Sequence, residues 1–153
     1  MEPIYDPRYS YTKLFPKHRQ TLSLSCHIPS IKVVYAYALE NCPNKINVGV
    51  RVEFPLNGST PHYRHSGPSV SACVVSGRVL NKMNDGLIET FSTSESWYEA
   101  PDCHHRISDN LSTTERAVSI ANMILDQVVY EKDGMAALIQ IDEEYQDKTA
   151  DVA

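Results

Sequence analysis

Hydrophobic and polar positions alternate with a period of two along most of the chain, and that pattern predicts strands. The clearest run is 46–54, where Ile46, Val48, Val50, Val52 and Phe54 alternate with Asn47, Gly49, Arg51 and Glu53. Residues 32–40 put Val33, Tyr35, Tyr37 and Leu39 on one face and Val34, Ala36 and Ala38 on the other, as a strand buried on both sides would. Further extended runs follow at 70–75, 78–83 and 87–91, with a short one around Trp97 and Tyr98 and a long β-branched one over 118–129. Turn residues separate them: Asn41-Cys42-Pro43, Pro55 to Pro61, Ser76-Gly77, and the hairpin signal Asn84-Asp85-Gly86. Helical spacing is confined to the tail, where Met135, Leu138, Ile139 and Tyr145 recur after Gly134. Many short strands with frequent turns predict an all-β sandwich or barrel, in which a closed or doubled sheet hides its edges.

Residues 1–20 mix Pro3, Pro7 and Pro16 with charges and show no period, so they read as an N-terminal arm. The expected organisation is an arm over 1–20, a β-barrel over 21–130, and a C-terminal helix and tail over 131–153. A chain of 153 residues suits one domain of ordinary size. Its net charge of -5 and scattered Lys and Arg argue against nucleic acid as a partner. The longest apolar run, residues 33–39, is far short of a bilayer span, and no secretory signal precedes it. Cys26, Cys42, Cys73 and Cys103 form no CxxC pair and read as reduced structural thiols of a cytoplasmic protein.

Two segments carry chemistry. Gly58-Ser-Thr-Pro-His-Tyr-Arg-His65, followed by Val74-Val75-Ser76-Gly77, resembles the first motif of the cupin superfamily, in particular small single-domain cupins written G-S-T-P-P-H-x-H. Ser94-Glu-Ser-Trp-Tyr-Glu-Ala-Pro-Asp-Cys-His-His105-Arg-Ile-Ser-Asp-Asn110 resembles their second motif, G-E-S-W-Y-E-P-P-G-C-H-H-R-x-S-x-N. The resemblance covers roughly residues 46–126. It implies a double-stranded β-helix, or jelly-roll, and a metal site in the barrel mouth built from three histidines and a carboxylate. Position by position, the first ligand is replaced by Tyr63, the second is His65, the carboxylate position falls near Ser69, and the third histidine is His105. Two of the four ligands are kept.

Tyr63 and His65 share a strand face, whereas His62 and Arg64 point away; His104, beside His105, also reads as an outward residue that fixes the loop by hydrogen bonds. A phenol must lose its proton to ligate well. The expectation is therefore no cofactor and an acid-base site, with His65 or His105 as base and Tyr63 as electrophilic donor. Trp97, Tyr98 and Asn122 are expected to contact substrate, and Glu99, ahead of Ala100-Pro101, reads as either a turn residue or a pocket carboxylate, with the turn favoured. Gly58 and Gly77 read as backbone necessities, and Asp102 as a left-handed turn residue.

The resemblance implies a lyase, isomerase or cyclase acting on a carbonyl-rich, polyketide-like small molecule, of the kind found in fungal natural-product gene clusters. One alternative is a metal-dependent dioxygenase or decarboxylase, with Fe, Ni, Mn or Zn held by His65 and His105 and Tyr63 or His62 recruited as a further ligand. Another is a non-catalytic small-ligand module. Cupin barrels commonly pair through exchanged arms, so a homodimer is expected.

Overall fold

The computed structural model describes residues 28–149. The segment read as an arm, together with Cys26, lies outside them. Alternation becomes two facing antiparallel sheets, as the jelly-roll expectation requires. One has the strand order β1 (Ser30–Ala38), β2 (Lys45–Phe54), β10 (Ala117–Asp126), β5 (Ser69–Ser76), β8 (Ser96–Glu99). The other runs β11 (Gln140–Ile141), β4 (Tyr63–Arg64), β9 (His104–Asn110), β6 (Arg78–Met83), β7 (Glu89–Ser92), with β3 (Gly58–Ser59) also paired to β9.

The inward set of β2, β5 and β10 forms the main core: Ile46, Val48, Val50, Val70, Ala72, Ala121, Met123 and Leu125 are all buried. Phe54, Val74, Val79 and Ala117 close one end of the barrel. Burying a side chain of this size contributes about 2 kcal/mol, so the inward faces fix the register of β2, β5 and β10. Outward residues of β2 are polar, and Arg51 there pairs with Glu53 at 2.7 Å, the solvated face that the alternation predicts.

Three expectations change. The run 32–40 is an edge strand and not one buried on both faces: most of β1 is exposed, and a bulge between Val33 and Tyr35 turns Tyr35 and Tyr37 outward, where their rings stack. The β-branched stretch 118–129 is strand only as far as Asp126; residues Gln127–Asp133 form a helix whose Val128 lies on the surface. Finally, the tail is not one helix. A short 3-10 turn (Gly134–Ala137) leads into β11, which pairs with β4, and a helix follows over Glu143–Thr149. Leu138 is fully buried in the main core, so this segment packs against the barrel. Among the described residues no helix is long and apolar enough to cross a membrane, and Cys42, Cys73 and Cys103 are free thiols.

The turn residues behave as read. Asp102 has φ 65° and Gly77 has φ 75°, both in the left-handed region. At Gly58 the constraint is proximity: a Cβ there would lie 2.8 Å from the Pro55 ring.

Candidate functional site

The pairing of β4 with β9 sets Tyr63 opposite His105 and Arg64 opposite His104. Alternation then sends Tyr63, His65 and His105 into the barrel. The phenol ring stacks on the His105 imidazole at 4.4 Å and 7°, and the His65 ring stands edge-on to both, 5.2 Å from Tyr63 and 5.3 Å from His105. His62, Arg64 and His104 turn outward and fix the tail: Arg64 donates to His104 Nδ1 at 3.1 Å, and His104 Nε2 donates to Asp142 at 2.8 Å.

At the centre stands a residue that the sequence reading placed in a turn. Glu99, the last residue of β8, is 3% exposed, and its Oε2 lies 2.7 Å from His105 Nε2 and 3.1 Å from His65 Nε2. Its other oxygen accepts from the Trp97 indole at 2.6 Å. Trp97 and Glu99 are two apart on one strand and so share the inward face, while Tyr98 between them does not. The carboxylate thus comes from β8. Ser69, where the motif alignment put it, is paired through β10 with the outward residue Ile124.

Burial alone would raise the Glu99 pKa, but hydrogen bonds from His105 and His65, reinforced by their charge, outweigh it and hold the carboxyl at about 2. Burial, and then the neighbouring Glu99 charge, push the Tyr63 phenol well above its ordinary range, so it stays protonated, in hydrogen-bond contact with the Ser108 side chain. His65 Nδ1 donates to the Leu138 carbonyl at 2.6 Å, which fixes a proton on that nitrogen and turns Nε2 toward Glu99. The tail therefore orients a site histidine.

Above these groups is a narrow cavity of about 90 Å³. Tyr63, His65, Trp97, Glu99, Ser108 and Ser119 give it polar edges, and Val52, Phe54, Val70, Met123, Ile139 and Ile141 make up much of its apolar wall. No lysine or arginine lines it among the described residues. His105 lies behind the Tyr63 ring, off the cavity wall.

Two of the expected substrate contacts stand elsewhere. Tyr98 is 59% exposed on the outer face and borders a separate, more open hollow with Asn84, Pro101 and Cys103. Asn122 belongs to the outward set of β10 and takes a hydrogen bond from the Tyr35 hydroxyl. Trp97 alone of the three reaches the cavity, and it also positions Glu99.

At the rim, Asp109 accepts from the Thr60 amide at 3.2 Å and from Ser59, holding the loop that carries Thr60. Burial outweighs these bonds and lifts its pKa from 3.8 to about 6. The native state therefore binds this proton more tightly than the unfolded chain, so stability falls as pH rises from about 4 to about 6 and stays lower above that window. The loss is about 3 kcal/mol at most. Asp109→Asn should flatten this decline, a result that urea unfolding at pH 4 and pH 7 would check.

A divalent ion fits the donor set. Two imidazole nitrogens and one carboxylate oxygen, each about 2.1 Å from a metal at right angles, would be spaced about 3 Å apart, close to the two imidazole–carboxylate contacts of 2.7 and 3.1 Å here. His65, Glu99 and His105 form such a buried group, and a second, more exposed one joins His62, Asp142 and Glu144.

No protein-family model matches the chain, and no curated protein does. Solved structures do. A double-stranded β-helix protein from Klebsiella pneumoniae aligns with TM-score 0.56 at 14% identity, over 82% of this chain and 99% of its own. The cupin domain of Schizosaccharomyces pombe Cnp3 gives 0.51 at 13%, over 71% and 68%. A chain from the structures of the DMSP lyases RdDddP and RnDddQII gives 0.50 at 11%, over 63% of this chain and 44% of that one. The fold is thus the cupin double-stranded β-helix, and its structural neighbours include an enzyme.

Proposed function

We propose that the chain is a small-molecule lyase or isomerase in which His65, Glu99 and His105 hold a divalent transition ion and Tyr63 serves the substrate as hydrogen-bond donor. The observation that carries this reading is the convergence of two Nε2 atoms and one carboxylate oxygen beside a largely apolar cavity, whose wall includes His65 and Glu99 while His105 stands behind it. When bound, the ion supplies Lewis-acid polarisation of a substrate oxygen. The protein does the rest. Tyr63, kept neutral by burial, can donate a hydrogen bond to a substrate carbonyl oxygen, and Ser108 holds its hydroxyl in place. The apolar walls exclude water and strengthen those polar contacts.

Cavity size and charge narrow the substrate. Drug-sized ligands occupy sites of about 300–1,000 Å³; a cavity of about 90 Å³ suits a compound of only a few heavy atoms, smaller than a polyketide. Without an ion, the ionised Glu99 and a described wall free of lysine and arginine favour a neutral carbonyl compound over a carboxylate; a bound divalent ion would add positive charge there and admit either.

A metal-free reading is supported by the same contacts. At 2.7 and 3.1 Å they are also hydrogen-bond lengths, satisfied if His105 and a doubly protonated His65 both donate to Glu99. Metal analysis of protein purified without chelators separates the two: the metal reading expects close to one equivalent of iron, manganese, nickel or zinc, and the proton reading expects none. For the reaction, deuterium exchange into butanone and cyclopentanone can be followed by NMR. Exchange above buffer that falls about 100-fold in Tyr63→Phe supports the donor role; unchanged exchange in that variant would remove it.

A further inference from the structure

The strand beneath His105 carries a group that the site has not yet used. β6 pairs Asn81 with Ser108 and Met83 with His105, and the register shift between Lys82 and Met83 absorbs Arg106 as a bulge. Because of that extra residue, His105 and Ser108 both face inward although three positions separate them, and Asn81 faces inward with them. Asn81 and His105 are therefore diagonal neighbours on one face, within the reach of two medium-length side chains.

Each is 1% exposed, and each has polar atoms without a partner among the described residues: Oδ1 and Nδ2 of Asn81, and Nδ1 of His105. An orphaned buried polar atom costs about 1–3 kcal/mol, and such atoms are usually reconciled by an internal water. No direct bond joins the two side chains, so the gap calls for a bridge.

We propose that Asn81 is the positioning residue of His105, acting through one internal water that links its side-chain amide to Nδ1. The chemistry at Nε2 dictates what Nδ1 must do. When Nε2 gives its lone pair to a cation, the ring carries its proton on Nδ1 and needs an acceptor there; when Nε2–H donates to Glu99, Nδ1 is bare and needs a donor. A carboxamide offers both, and the water relays either. This makes asparagine apt where aspartate or leucine would favour one state or neither. Partners of this kind commonly change metal affinity 10- to 100-fold.

The inference builds on the metal reading only for its effect on affinity; the bridge itself is required under either protonation state. A high-resolution crystal structure of the whole chain should show an ordered water within hydrogen-bond distance of both Asn81 and His105 Nδ1, and Asn81→Leu should lose it. Cobalt(II) titration of the same two proteins should show affinity reduced 10- to 100-fold in Asn81→Leu, with Asn81→Gln partly restoring it. Thermal unfolding of each variant identifies any that fails to fold. A dry gap between the two side chains, or an imidazole bonded elsewhere, would overturn the proposal. Equal cobalt affinity in wild type and folded Asn81→Leu would overturn it as well. If the wild type binds no cobalt while the bridging water is present, the metal reading fails and the Asn81 assignment stands.

Discussion

Glu99→Gln is expected to melt about 10 °C below the wild type at pH 7, a loss of about 3 kcal/mol. In the metal-free protein the carboxylate accepts at both oxygens, from Trp97 at one and from two imidazoles at the other. An amide has one oxygen. Either Trp97 or the imidazole pair then faces an NH2 group, inside a site where water cannot compensate. The pH dependence distinguishes this from loss of packing. Glu99 titrates at about 2 in the folded chain and near 4.5 unfolded, so the stability it contributes is present above about 4.5 and is lost as pH falls toward 2. Glu99→Gln should therefore lie well below wild type at pH 7 and approach it at pH 2, as denaturant unfolding across that range would show. A constant difference between the two proteins at every pH would mean that the charge contributes nothing.

Gly77→Ala is expected to be at least as damaging, at more than about 3 kcal/mol. Two costs coincide. The residue sits at φ 75°, and a Cβ would come 2.5 Å from the Arg116 carbonyl oxygen and 2.9 Å from the Ala117 Cα, backbone atoms that cannot rotate aside. Ala117 in turn begins β10, the strand that pairs with both β2 and β5. Gly134→Ala provides the control. It too has positive φ but nothing within 4 Å, and should cost about 1–2 kcal/mol. Thermal unfolding of both variants measures the difference, and equal losses would show that proximity to Arg116 is unimportant.

The sequence revealed the fold wherever burial is one-sided. β2 reads off its alternation because one face meets the core and the other meets solvent. β3 and β4 are two residues long and carry Gly58, Ser59, Tyr63 and Arg64, too short for any period to emerge; only the motif resemblance placed them. β1 misled because it is apolar on both faces yet lies at a sheet edge, a property of pairing that a linear pattern does not carry. The valines after Asp126 misled through β propensity, which tertiary context overrides.

The site divides along the same line. Tyr63, His65 and His105 were legible because alternation and the motif agree, and the structure brings their rings together. Glu99 was missed because Ala100-Pro101 marks a turn immediately after it. Its signal was present: Trp97 and Glu99 share a parity, so placing the indole inside also places the carboxylate inside. Asn122 and Tyr98 have the opposite parity: the inward set of β10 is Ala117, Ser119, Ala121, Met123 and Leu125, and Tyr98 lies between the inward Trp97 and Glu99 on β8. The contribution of Leu138 to His65 had no signal in sequence, because a backbone carbonyl is the same at every residue.

The central claim is that His65, Glu99 and His105 act together on one ion. Equilibrium titration of metal-stripped protein with cobalt(II), read by its visible absorption, tests it most directly. The account predicts saturable binding of one ion per chain, weakened more than about 100-fold in Glu99→Gln and in His105→Ala. Absence of saturable binding in the wild type, or equal affinity in all three proteins, would contradict it.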